Sequence, residues 1–261
     1  MTKALQMTAK CRWKATAVTF FLLVFLPGSS PGGRPGTYTT HFPVAENPIS
    51  ENGRWTNGKS LGLDWADVET VPGLAFGTQS GSDGYDDATA LLKGTWSADQ
   101  SATGTVYSRN QRGGKVYEEV EIRLRSSLSP GRCTGYEILF RCLKTSESYA
   151  QIVRWNGPLG DFTYLADQKG ARVGISTGDV VKATAIGSVI TAYINNVPVA
   201  QATDSTYPNG NPGMGFFLQG ASGLNRDYGF SSFSASEEPA SPTAPDPLPK
   251  APSPPAGQDP R

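Results

Sequence analysis

Apolar and polar residues alternate along much of this chain. In YEEVEIRLRS (117–126), Glu118, Val120, Ile122 and Leu124 fall on one side of a period-two pattern. Tyr117, Glu119, Glu121, Arg123 and Arg125 fall on the other. Successive strand side chains point to opposite faces, so the stretch reads as a strand with one face in a core and one polar face. In GYEILFRC (135–142), Tyr136, Ile138, Phe140 and Cys142 form the apolar stripe and leave Glu137 and Arg141 on the polar side. In YAQIVRWNG (149–157), Tyr149, Gln151, Val153 and Trp155 share one face, and Gln151 and Trp155 are assigned to the polar side. Similar short runs, rich in Val, Ile, Tyr, Phe and Thr, are bounded by Gly, Asn, Asp and Pro. They predict strands near 38–43, 53–57, 88–95, 102–109, 116–126, 135–143, 149–155, 162–166, 178–186, 189–195, 198–203, 213–219 and 227–235. Helical periodicity is almost absent, so the chain reads as an all-β sandwich or barrel. No repeat of a fixed period marks a propeller or solenoid.

The clearest pattern is GDVVKATAIGSVITAYINNVPVAQATD (178–204). Gly187-Ser188 and Asn195-Asn196 separate alternating runs and suit tight hairpin turns with positive φ, which predicts a three-stranded antiparallel meander. The order Gly178-Asp179, strand, Gly187, strand, Asn195-Asn196, strand, Asp204, then Gly210 and Gly213 to Gly215 before a further strand, resembles laminin-G-like domains. It is similar more widely to concanavalin A-like lectin/glucanase sandwiches. The resemblance implies a jelly roll of two curved antiparallel sheets, with a glycan on the concave face. It does not imply one activity, because that fold hosts lectins, binding modules, glycosidases and lyases.

The two ends differ from this domain. The start carries Lys3, Lys10, Arg12 and Lys14, then an apolar run from Ala15 to Leu26, then small and turn-forming residues. That is the layout of a secretory signal, placed at 1–30, with an uncleaved anchor as the alternative. The run is short for a spanning helix, which needs about 20 apolar residues. From Ser236 the chain is rich in Pro, Ala and Ser without an aromatic residue, which predicts a disordered, extended tail over 236–261. The single β domain is placed at 36–235, and the protein is expected to be secreted, extracellular or in the cell envelope.

Charge adds an exclusion. Lys plus Arg and Asp plus Glu number 23 each, so no basic footprint or motif points to nucleic acid. The single histidine, His41 in TTHFP, excludes a multi-histidine zinc site and reads as part of a first strand. Cys133 and Cys142 would lie roughly 30 Å apart on a continuous strand, beyond the reach of a disulfide. A turn at Thr134-Gly135 would bring them closer, but Cys142 reads as a small core residue.

If the three polar-faced strands are neighbours, Glu119, Glu121, Arg123, Glu137, Arg141, Gln151 and Trp155 form one surface. Planar polar groups beside a flat ring suit sugar recognition. The competing reading is a solvated Glu/Arg lattice. Glu119 and Glu121 are about 6.5–7 Å apart at Cα, within reach of a glycosidase carboxylate pair. The laminarinase-like pattern of the superfamily, Glu-x-Asp-x-(x)-Glu, meets Glu121 in place of Asp and Arg123 in place of the last Glu. Alginate lyases of similar fold use an Arg-rich strand and a Gln-x-His strand, and here Val153 follows Gln151 where the His would stand. In that lyase reading, which also uses a catalytic Tyr, Arg123 or Arg125 neutralises a uronate and Tyr117, Tyr136 or Tyr149 moves a proton. Both enzyme patterns lose a needed side chain, so no residue is assigned to catalysis. The expectation is a non-catalytic carbohydrate-binding domain whose partner is a polysaccharide. A lyase or hydrolase, or a structural or adhesive surface domain, are the alternatives. The loop SGSDGYDD offers Asp83, Asp86 and Asp87 to a structural Ca²⁺, though an ordinary turn is the preferred reading. No other cofactor is expected. Trp65 and Trp96 read as core or sheet-edge aromatics.

Overall fold

The computed structural model describes residues 36–239 apart from 63 and 83. The expected signal at 1–30, most of the tail and Asp83 lie outside the described residues. Fifteen strands follow one another: β1 Thr37–Thr40, β2 Trp55–Asn57, β3 Val68–Val71, β4 Leu74–Gly77, β5 Ala88–Leu92, β6 Gln100–Ser108, β7 Tyr117–Ser129 and β8 Arg132–Arg141. They continue with β9 Tyr149–Gly157, β10 Phe162–Lys169, β11 Val180–Ile186, β12 Val189–Ile194, β13 Val197–Thr203, β14 Asn211–Gln219 and β15 Tyr228–Glu237. Among the described residues there is no α-helix, only three single 3-10 turns. None of these is long and apolar enough to cross a membrane.

The strands form two antiparallel sheets. One runs β13-β12-β11-β6-β15-β4-β3, with β1 also paired to β15. The other runs β10-β9-β8-β7-β14-β5-β2. The meander β11-β12-β13 is present, with Gly187, Asn195 and Asn196 at positive φ in its turns. The hairpin β3–β4 was not predicted; it closes at Val71↔Leu74 around Pro72-Gly73. The last strand continues to Glu237, two residues past the expected domain end. Ser236 pairs with Thr37, and Glu237 with Gln100.

The core lies between the sheets. Val120, Ile122 and Leu124 of β7, Tyr136, Ile138 and Phe140 of β8, and Met214, Phe216 and Leu218 of β14 meet Val181 and Ala183 of β11 and Phe230 and Phe233 of β15. Cys142 is buried in this core as a free thiol, and Cys133 is free and buried in a second cluster. His41 is exposed in the loop after β1.

Alternation on β7 breaks at a bulge, where register shifts between Leu124 and Ser127. Arg125 adopts φ 48°, and its side chain turns to Ala98 O at 2.7 Å and Asp99 Oδ1 at 3.4 Å. It therefore leaves the polar stripe on which the period-two pattern placed it, because a bulge inserts one unpaired residue and reverses the phase. Opposite the bulge, a side chain at Gly135 would overlap Ser126, and its φ of 124° suits only glycine.

Candidate functional site

The strands β7, β8 and β9 are adjacent, as the sugar-surface reading required. Their registers stack the polar positions in rows across the sheet face turned away from the core. Glu121 lies opposite Leu139, and Leu139 opposite Gln151. Arg123 lies opposite Glu137, and Glu137 opposite Val153. Glu119 lies opposite Arg141.

Arg123 is the centre. It is 0 % exposed. Its Nη2 donates to Glu121 Oε2 at 2.6 Å and Asp87 Oδ2 at 2.9 Å, and its Nη1 pairs with Glu137 Oε2 at 2.7 Å. A buried charge is tolerated only when paired in this way. Burial works against the Arg123 charge, but Glu137, Glu121 and Asp87 more than offset it and hold the guanidinium above its usual range. Burial first, then the neighbouring carboxylates, push Asp87 and Glu121 well above the usual range. The neighbouring strand makes room. Gly215 of β14 pairs with Glu121, and a methyl group there would overlap Glu121 Oε2 and stand 3.1 Å from Arg123 Nε.

Aromatic rings roof this cluster. Trp155 donates its indole N–H to Glu137 Oε2. Trp65 lies 4.5 Å from Trp155 between ring centroids, and the Arg123 guanidinium sits 5.3 Å from the Trp65 ring and 6.0 Å from that of Trp155. Trp65 is a core aromatic as expected, but of this second core. Trp155, expected as an exposed sugar platform, is 3 % exposed. The chain of rings continues from Trp155 to Phe162 at 5.2 Å, then to Tyr85 at 5.1 Å and Tyr164 at 5.3 Å. Tyr85 and Tyr164 are the exposed members, at 51 % and 56 %.

Glu119 forms a second centre. It accepts the Tyr149 hydroxyl proton in a hydrogen bond. Burial pushes its carboxyl up to about 8, with the Tyr149 hydrogen bond acting in the opposite sense. Arg141 lies beside it, 5.6 Å from the Tyr149 ring and 4.6 Å from that of Tyr117. Its N–H groups go to the carbonyls of Gly114, Val116 and Glu147. Glu118, on the core side of the strand, is also buried, and burial raises it to about 7 with Arg112 at 3.7 Å.

Between these centres and the aromatic rim lies a groove of about 360 Å³. It is lined by Asp87, Glu119, Glu137, Leu139, Tyr149, Gln151, Val153 and Trp155, and by Tyr85, Tyr117, Phe162, Tyr164, Lys169, Phe217 and Gln219. Of the seven residues expected on one surface, Glu119, Glu137, Gln151 and Trp155 reach the groove. Glu121, Arg123 and Arg141 stand buried behind it. The open polar lattice is thus replaced by a buried ionic layer. Arg123 has no surface with which to neutralise a uronate, and Arg125 faces elsewhere, so neither can take the role the lyase pattern requires of it. Sequence reasoning missed Tyr85, Phe162, Tyr164 and Phe217. Their signal was present, as aromatics in and beside strands, but the pairings of β10 with β9 and of β14 with β7, and the loop before β5 that brings Tyr85 to Phe162, were not visible.

The acidic loop is divided. Asp83 is not described, Asp86 is half-buried, and Asp87 turns inward to Arg123. Among the described residues, Asp87, Glu121 and Glu137 are the one carboxylate trio whose oxygens all lie within 4.8 Å of one another. The cation at its centre is Arg123, so this donor set would suit a Ca²⁺ only if the guanidinium withdrew.

No family model and no curated protein sequence matches the chain. Solved structures do. A point variant of the Emp46p carbohydrate recognition domain is 13 % identical, with TM-score 0.50, covering 76 % of this chain and 95 % of that one. The carbohydrate-binding module CBM66 from Bacillus subtilis is 15 % identical, with TM-score 0.47, covering 72 % and 95 %. The GlcNAcα1-4Gal-releasing endo-β-galactosidase from Clostridium perfringens is 11 % identical, with TM-score 0.48, covering 81 % and 64 %. At such identities the likeness speaks to architecture alone: the chain has the two-sheet jelly-roll fold of the concanavalin A-like proteins.

Proposed function

We propose that this protein is a secreted carbohydrate-binding domain that holds a polysaccharide in the groove on the outward face of its seven-stranded sheet, without cleaving it. One observation carries the reading. Two exposed rings, Tyr85 and Tyr164, meet Phe162 beside a groove lined by the planar polar groups of Asp87, Glu119, Glu137 and Gln151 together with Leu139 and Val153. Flat rings stack on the apolar faces of sugars, and carboxylates and amides order the hydroxyls. The likeness in fold to the Emp46p carbohydrate recognition domain agrees with it. The basic and apolar start of the chain supports secretion.

Binding is preferred to hydrolysis because Arg123 clamps Asp87, Glu121 and Glu137 in ion pairs. Hydrolysis draws on a different observation: Glu119 holds a proton at neutral pH beside the groove, as a general acid must. Affinity electrophoresis against a polysaccharide panel, with reducing-sugar release measured on the same samples, separates these readings. The expected result is retardation without release, weakened about tenfold or more in Tyr164→Ala. Absence of retardation by every polysaccharide would sink the binding proposal, and release of reducing ends would replace it with hydrolysis.

A further inference from the structure

The groove has an excess of acceptors. Asp87, Glu119 and Glu137 present carboxylates to it. Behind them Glu121, 0 % exposed, keeps one carboxylate oxygen, Oε1, without a hydrogen-bond partner. The nearby guanidinium groups are buried away from the groove, although Arg123 Nε and Arg141 Nε also lack hydrogen-bond partners. Arg123 is enclosed by three carboxylates and has no exposed surface. Arg141 donates to three backbone carbonyls and is 4 % exposed. Lys169, on the groove lining, pairs with Asp167 at 3.0 Å.

A ligand anion would therefore meet three carboxylates set around one enclosed guanidinium, with Lys169, paired to Asp167, as the cation on the groove lining, a juxtaposition that specificity exploits as strongly as attraction. A ligand rich in hydroxyl or amine hydrogens would instead supply the donors that the groove lacks. We infer that the groove selects glycans free of anionic groups and rejects uronates and sulfated sugars. This inference rests on the groove being a glycan site.

The test starts from the polysaccharide that the full-length protein binds best. Its primary hydroxyls are oxidised to carboxylates, and a portion of that product is then amidated, which restores neutrality while keeping the added bulk. Titration calorimetry compares the three polymers. The oxidised polymer is expected to bind about tenfold or more weakly than the parent, and the amidated one within about threefold of it. At pH 9, above the value of about 8 to which burial raises Glu119, Glu119→Gln removes one negative charge from the groove and is expected to recover part of the loss. Equal or tighter binding of the oxidised polymer would overturn the inference, as would a uronic or sulfated polymer as the best ligand or equal losses for the oxidised and amidated forms. In each of those outcomes sugar binding itself stands. Failure of all polysaccharides to bind would overturn the site reading as well.

Discussion

Glu119→Gln replaces a buried, titrating carboxyl with an amide of the same shape. The amide oxygen can still accept the Tyr149 hydroxyl, so near pH 5, where Glu119 is protonated, the two proteins should differ in stability by about 1 kcal/mol or less. The difference appears as pH rises. Burial raises the folded-state value from 4.5 to about 8. The folded protein therefore holds more protons than the unfolded chain across that window, and its stability falls as pH rises through it. At about 1.4 kcal/mol per pH unit, the ceiling for wild type is about 5 kcal/mol, lost between pH 4.5 and pH 8. Relaxation of the groove and entry of water reduce this to roughly 2–4 kcal/mol. Glu118 also titrates in this range, at about 7, but it is present in both proteins and cancels in the comparison. Urea unfolding followed by tryptophan fluorescence at pH 5 to 9 measures the difference directly. The variant should gain on wild type steadily with pH and overtake it by pH 9. A gap constant within about 0.5 kcal/mol, or one that widens in favour of wild type, would refute the protonated-Glu119 reasoning.

Arg123→Met should cost about 3–5 kcal/mol in the same unfolding assay at pH 7, because it leaves Asp87, Glu121 and Glu137 together without their cation. Part of that loss should return as pH is lowered, because burial and the neighbouring carboxylates raise Asp87 and Glu121 and protonation relieves their repulsion. Gly215→Ala should lower the calorimetric melting temperature by several degrees, about 1–3 kcal/mol, since its methyl group would press on Glu121. In the native protein Cys133 and Cys142, buried and with thiols raised by that burial, should resist iodoacetamide. Mass spectrometry should find them alkylated only in denaturant.

The architecture was readable because alternation is a backbone property. Val120, Ile122 and Leu124 face the core as their spacing required, and the turns at Gly187 and Asn195-Asn196 fixed the meander. The β3–β4 hairpin escaped although its strands are as long as β1 and Pro72-Gly73 is a recognisable turn pair. Arg125 was misplaced because a bulge carries no period of its own. For the site, the neighbours on one strand were legible, and the burial was not. Whether a polar stripe faces water depends on what covers it. Here the cover is Trp65 and Phe162, from segments far apart in sequence, and alternation on β7 says nothing about either.

The bulge at Arg125 has a consequence for how this chain can change. Before it, β7 carries two incompatible inventories, one ionic and one oily, and losing a single residue between Glu118 and Leu124 would exchange them. The bulge sets where that phase begins and absorbs displacement arriving from the β7–β8 hairpin, so length variation at Ser129 to Arg132 need not reach the groove. Variants and designs drawn from this scaffold should accordingly accept insertions at the hairpin tip and none on the groove side of Arg125.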